Sequence, residues 1–413
     1  MHWLTALFVL AVIVGTALEW WLSGRQASTV ATHRAQVPEP FAAQISAAEH
    51  AKAADYTIAT MKFRRLDTVF SAVVVLALTV GGGIAAIDVL WRRTGWSQPW
   101  LGASVIVTVV CLTGALNLPF SLWRIFRLEA RFGFNRLTPR LFLVDRLKSI
   151  LLATAIGVPA VLAVLSLMER AGPTWWLWTW ALWLGFTLLM TWAWPVFIAP
   201  LFNKFSALQD PVLVARIESL LQRCGFASKG VFVVDGSRRS AHGNAYFTGI
   251  GRNKRIVFFD TLLERLEAAE VEAVLAHELG HFKLQHVRKR LIVSVAMSFC
   301  GLALLGWLAG NPAFYAALGV PTASTHAALL LFVLVVPAFA LFATPLTSMW
   351  SRRHEFEADE FAAHNASAGQ LAAALVKLYR DNASTLTPDP AYTAFYYSHP
   401  PALARISRLR QGI

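Results

Sequence analysis

Long apolar runs broken by short polar connections dominate the chain, and their lengths predict membrane helices rather than a soluble core. Seven runs reach the roughly 20 residues that a helix needs to cross a bilayer. They cover about 3–22, 68–91, 100–123, 149–168, 174–198, 290–308 and 326–349. The first lacks a basic N-terminal region and ends in Glu19-Trp20-Trp21. It therefore reads as a retained anchor, not a cleaved signal. Other runs contain Gly81-Gly82-Gly83, Pro159 and Pro337, with Pro345 near the end of the last. Spanning helices tolerate these where neighbours re-satisfy the backbone.

Two longer polar segments, 199–289 and 350–413, interrupt this pattern. Val231–Val234 reads as a strand ending at Asp235-Gly236, and Asn244–Ile250 as a second. Gly251–Lys254 then turns into a third strand, Arg255–Phe259. Asp260-Thr261 is expected to cap one long helix running from Leu262 to His281. The chain so divides into 1–198, five spans with their loops; 199–289, a polar part with a small β-sheet and the helix that reaches His281; 290–349, spans six and seven; and 350–413, a C-terminal polar part. The fold class expected is mostly α and integral to the membrane.

Composition agrees with the pattern. Of the 413 residues 56% are hydrophobic and only 15% charged, against about a quarter charged in soluble domains. A net charge of +13 alone fits a nucleic-acid binder, but so apolar a chain with 16 tryptophans does not. Anionic lipid headgroups are the better partner for the basic loops, and no nucleic acid is expected. Residues 124–148 hold seven Lys/Arg against Glu129 and Asp145, whereas 309–325 hold no charge. Keeping the basic side in the cytoplasm places the N-terminus outside and residues 199–289 and 350–413 inside; Arg92-Arg93 opposes this weakly. Cys111, Cys224 and Cys300 are scattered and form neither a disulfide framework nor a thiolate metal site.

The chemistry lies in His277-Glu278-Leu279-Gly280-His281. On a helix, residues i and i+4 share a face, so two imidazoles can grip one Zn²⁺. The glutamate beside the first histidine then reaches a water at the open position of the ion. A catalytic zinc needs a third protein ligand. Ser351-Arg352-Arg353-His354-Glu355-Phe356-Glu357-Ala358-Asp359 offers Glu355, with Asp359 on the same face to accept the remaining N–H of His277. Glu357 and Glu360 point elsewhere, and His286, His354 and His364 are expected at the surface.

With these residues the chain resembles the CAAX prenyl protease 1 family, seven-span zinc metalloproteases of gluzincin type that trim prenylated proteins. The resemblance is carried by His50–Thr57, Phe132–Asn135, Pro200–Phe205, Asn244–Phe247, the HExxH run, Glu355 with Asp359, and Ser398–Pro401. It implies spanning helices around a water-filled chamber, which tolerates Asp88 and Asn117 unless these lie at the membrane surface. It implies one zinc per chain on His277, His281 and Glu355, Glu278 as general base, and Asp359 as an essential partner often assigned as proton donor. Asn244 and His399 would stabilise the oxyanion; read by themselves, they are a strand-start residue and a cap beside Pro400-Pro401. The substrate implied is a peptide or protein, possibly prenylated.

The end Arg410–Ile413 carries no endoplasmic-reticulum retrieval signal, and the chain is rich in Ala and Trp. A bacterial member in the plasma membrane, its site facing the cytoplasm, is expected. Two alternatives share some features. A membrane-protein quality-control protease shares HExxH but differs around it. A transporter or scaffold with structural zinc needs a fourth ligand, and no further His or Cys stands near the motif to supply it.

Overall fold

The computed structural model describes residues 2–226, 230–248 and 255–411. The apolar runs are helices, as predicted, but the helices outrun them. Single spans cover Trp3–Thr32, Trp100–Phe132, Pro139–Arg170, Gly172–Phe202, His286–Ala309 and Thr325–Asn365. Ala47–Leu78 and Gly83–Arg92 form a seventh, bent by 47°. The break falls at the predicted glycine run. Gly82 takes φ +76°, a left-handed conformation that suits glycine. A Cβ on Gly81 or Gly83 would sit 2.7 or 2.9 Å from the Ala77 carbonyl oxygen.

At 1.5 Å per residue, a helix of 32 residues such as Pro139–Arg170 is about 48 Å long, well beyond the roughly 30 Å of hydrocarbon. The span Thr325–Asn365 is longer still, and its C-terminal part bears Glu355 and Asp359. Much of 23–67, polar and outside any expected span, is helix continuing from the first span and leading into the second. Ser46 and Glu49 cap that second helix reciprocally: Ser46 Oγ accepts from Glu49 N–H at 3.2 Å, and Glu49 Oε2 accepts from Ser46 N–H at 2.8 Å.

Four strands form one mixed sheet: β1 Phe205–Ala207, β2 Val231–Val234, β3 Ala245–Thr248 and β4 Arg255–Phe259. Their order is β1-β2-β4-β3, with β2 and β4 parallel and the outer pairs antiparallel. β3 is an edge strand, its Tyr246 opposite Val257. The expected end of this strand at Gly249-Ile250 and the turn Gly251–Lys254 lie outside the described residues.

The single helix expected from Leu262 to His281 is two. Asp260–Leu263 makes one turn, and the motif helix runs Ala268–Lys283. The reason is a nearer cap: Glu270 accepts from Glu267 N–H at 2.8 Å. The Asp260 carboxylate is occupied by the backbone N–H groups of Ser237 and Thr261, at 2.9 and 2.8 Å. Val271, Val274, Leu275 and Leu279 of the motif helix pack with Ile256 and Phe258 of the sheet and with Leu371 and Leu375. This apolar stripe at helical spacing leaves His277 and His281 to face the last span's extension.

Pro337 lies inside Thr325–Ala340, one turn before its end, and Pro345 opens the continuing helix Thr344–Asn365, which bears Glu355. Asp88 is buried, with His326 Nε2 at 2.9 Å and Arg92 donating to its carboxylate at 2.8 Å. Asn117 is exposed and donates to the Thr113 carbonyl of its own helix.

Candidate active site

The motif helix and the Glu355 helix pack side by side because Gly280 has no side chain. A Cβ there would stand 3.1 Å from Ala358 Cα. Their approach brings His277 Nε2 to 3.5 Å from Glu355 Oε2, and His281 Nε2 to 3.4 Å from Glu355 Oε1. Ligand atoms about 2.0–2.1 Å from a tetrahedral ion lie about 3.3 Å apart. Two imidazoles and one carboxylate at this spacing, within 4.8 Å of one another, therefore fit a divalent transition ion.

The other nitrogen of His277 is also held. Its Nδ1 is 2.8 Å from Asp359 Oδ1, so Glu355 and Asp359 meet opposite sides of the same ring, as their i, i+4 spacing predicts. Burial works against a charge on His277, but hydrogen bonds to Asp359 and then Glu355 outweigh it and push the imidazole up to about 9. The Asp359 contact at Nδ1 fixes the ring and its tautomer so that Nε2 is the nitrogen left to hold a cation. Asp359 in turn accepts from Arg405 Nε at 2.8 Å and from a second guanidinium nitrogen at 2.5 Å. Arg405 is buried with it; burial disfavours its charge, and the Asp359 carboxylate more than restores it.

Glu278 opens onto a cleft of about 200 Å³ that also meets Asn244, His277, His399 and Arg405. Asn244 stands at the head of β3, where its carbonyl accepts from Phe259 N–H at 3.0 Å. Its side-chain oxygen accepts from Ala245 N–H at 2.8 Å, which leaves the amide nitrogen as the group able to donate. His399 Nδ1 is 2.6 Å from Glu355 Oε2. The loop carrying His399 is tied to the Glu355 helix by Arg352, which donates to the carbonyls of Tyr397 and Thr393 at 2.7 and 3.0 Å. Asn244, His277, Glu278 and His399 thus line the cleft, and Glu355, Asp359 and His281 adjoin it through their contacts with His277 and with one another.

Two expectations fail. His286 and His354 are not surface residues; they are 1% and 2% exposed. Their rings stack at 4.0 Å, beneath the Glu355 helix. The polar sequence around each says nothing of burial between helices far apart in the chain. His364 is exposed, as expected. Arg405 and Arg352 are site residues that the sequence does not single out, because a buried arginine carries no local signal that separates it from a surface one.

Residues 26–204 match the family described as CAAX prenyl protease N-terminal, five membrane helices. Residues 207–413 match peptidase family M48. A CAAX prenyl protease 1 homolog of Oryza sativa subsp. japonica is 34% identical over 91% of this chain and 90% of its own length. CAAX prenyl protease 1 of Saccharomyces cerevisiae is 38% identical over 74% of this chain and 73% of its own. The crystal structure of S. mikatae Ste24p superposes with a TM-score of 0.90 at 29% identity, covering 99% of both chains. These relatives are eukaryotic, and the rice protein is matched over nearly its whole length, so size does not set this chain apart from them. With both halves matched and the donor set in place, the chain belongs to peptidase family M48 and is an integral-membrane metalloprotease of the CAAX prenyl protease 1 family.

Proposed function

We propose that the metal is a single Zn²⁺ held by His277, His281 and Glu355, and that the enzyme cleaves peptide bonds near the C-terminus of prenylated substrates. The observation carrying this reading is that His277, His281 and Glu355 bring ligand atoms within 4.8 Å of one another, while His277 and Glu278 line a cleft edged by a sheet strand. Bound zinc supplies Lewis-acid polarisation and brings the pKa of a water to about 7.

The chain does the rest. Glu278 takes the proton of the attacking water and returns it to the leaving amine as the C–N bond breaks. Asn244, through its amide nitrogen, and His399, through the Nδ1–H that here points to Glu355, donate to the oxyanion. Asp359 fixes the His277 tautomer, and Arg405 fixes Asp359. With both Asp359 oxygens taken by Arg405 and His277, this orienting role suits it better than proton donation. The edge of β3 offers main-chain pairing to an extended peptide, which gives binding with little side-chain selectivity.

The prenyl group is inferred from the names of the relatives. A cavity of about 730 Å³ between the first, second and seventh spans, where Glu19, Arg64 and Asp67 meet apolar walls, suits an amphipathic substrate. The basic segment 124–148 favours a cytoplasmic site. Purified protein should hold one zinc per chain and cut a prenylated peptide faster than its unprenylated twin. Equal rates on the two peptides would remove the prenyl specificity, and a protein without zinc would remove the mechanism.

A further inference from the structure

Beneath the His281 side of the site lies a chain of hydrogen bonds that the reaction itself does not use. The motif helix ends at Lys283, and the next span begins at His286. Between them Gln285 takes φ +59°, a left-handed conformation that non-glycine residues rarely adopt. The turn brings His286 back onto the motif helix, with its Nδ1 3.0 Å from His281 Nδ1. His286 Nε2 lies 2.8 Å from Glu357 Oε2. His354 stacks on the His286 ring at an interplanar angle of 8° and is flanked by Trp350.

A proton count sets the direction of these bonds. If His281 Nε2 holds the metal, the neutral ring carries its proton on Nδ1 and donates it. The partner, His286 Nδ1, must accept. A neutral His286 then carries its own proton on Nε2, which donates to Glu357. The sequence of donors is consistent from the ligand to a carboxylate whose side chain is 41% exposed.

His286, His354 and Glu357 also stand close enough to suggest a second ion. The same count argues against one, because His286 Nε2 is a donor and not a lone pair. Two imidazoles stacked nearly parallel also present faces to each other, with their in-plane lone pairs directed apart.

We propose that His286 is a positioning residue: it fixes the tautomer and ring orientation of His281 by accepting its Nδ1–H, and Glu357 anchors His286 in turn. This rests on the metal reading above. The two ligand histidines are then supported differently, His277 directly by Asp359 and His281 through a neutral imidazole. Losing support of this kind costs about 10–100-fold in metal affinity.

The test is zinc affinity of the purified full-length protein, by competition with a chromogenic chelator, with thermal unfolding of the zinc-loaded form alongside. His286→Phe keeps a ring for the stack but has no acceptor, and its affinity should fall about 10–100-fold. His286→Asn places an amide oxygen where Nδ1 stood and should recover most of the loss. Wild-type affinity in His286→Phe overturns the proposal. So does an equal loss in both variants, since that would be packing. Should His286→Phe not fold, Glu357→Ala at the exposed end decides: weaker zinc binding supports the relay and unchanged binding overturns it. A wild-type protein that takes up no zinc overturns the metal reading and the relay together. Tight zinc in the wild type with unaffected variants overturns the relay alone.

Discussion

Gly280, the fourth residue of the HExxH run, sets how close the two ligand-bearing helices come, and Gly280→Ala measures that closeness. The added methyl would stand 3.1 Å from Ala358 Cα, 3.1 Å from Phe361 Cβ and 3.3 Å from the Ala358 carbonyl oxygen. Comfortable carbon–carbon contact is about 3.5–4.0 Å, so the helices must part by roughly half an ångström at this point. Glu355 lies one turn from Ala358 on the same helix, and the displacement is passed to its carboxylate. Metal–ligand distances tolerate about ±0.2 Å. The shift exceeds that, and zinc affinity should fall about 10–100-fold, as for other changes just outside the ligands.

Stability should move much less. Overpacking costs about 1–3 kcal/mol, while alanine improves on glycine inside a helix by about 1 kcal/mol. The net loss is on the order of 0–2 kcal/mol. Chelator competition and thermal unfolding on the same preparation separate the two effects. A Gly280→Ala protein with wild-type zinc affinity refutes the argument. A large fall in unfolding temperature with unchanged affinity also refutes it, because the strain would then be relieved away from Glu355.

Glu278→Gln should keep its zinc and lose at least about 10²–10⁴-fold in kcat, and near-normal turnover with metal confirmed removes the general-base role. Arg405→Leu leaves Asp359 buried with an unpaired charge; the side chains are only 6% and 3% exposed, so the loss should be about 3–5 kcal/mol. Adding Asp359→Asn should restore part of the unfolding temperature, and no recovery would deny the pairing its role. His399→Ala should keep its zinc and lose about 10²–10³-fold, mostly in kcat, whereas loss of metal would make His399 a ligand. Cysteines at Ala323 and Gln370, both exposed, should react from opposite sides with an impermeant thiol reagent in intact cells. Labelling from one side would refute the seven-span orientation.

What was legible in the sequence is what depends on neighbours along the chain. A spanning helix is a run of about 20 apolar residues, so each of the seven showed itself, including the one that Gly82 bends. His277, Glu278 and His281 are fixed by one helical turn, and so are Glu355 and Asp359. The helix break at 264–267 stayed hidden because Leu262, Leu266 and Val271 keep an apolar rhythm across it, while the Glu267–Glu270 cap lies in two acidic residues that read as solvated. β1 has only three residues, too few for an alternating pattern.

Pairings across long separations were not legible. Arg405 meets His277 across 128 positions, and His286 meets Glu357 across 71. Nothing beside Arg405 distinguishes it from Arg408 or Arg410, which remain more exposed. His286 is followed by Val287-Arg288-Lys289-Arg290, a basic stretch typical of a membrane surface. Its burial comes from the Glu355 helix, and only the fold supplies that neighbour.

Both helices that carry the proposed metal ligands are joined to membrane spans. The motif helix passes through Leu284 and Gln285 into the sixth, and the Glu355 helix continues the seventh past Pro337. The sheet supplies no ligand; it contributes Asn244 and the β3 edge. Ligand geometry therefore answers to how the last two spans pack, and peptide binding answers to the sheet. A change at the Gly280–Ala358 contact or in the Lys283–His286 turn acts on metal first and on turnover through it. A change in β3 acts on substrate binding with the metal in place. The reacting groups lie where the two meet, so the cleft needs the membrane part in order to be assembled as well as to receive a substrate.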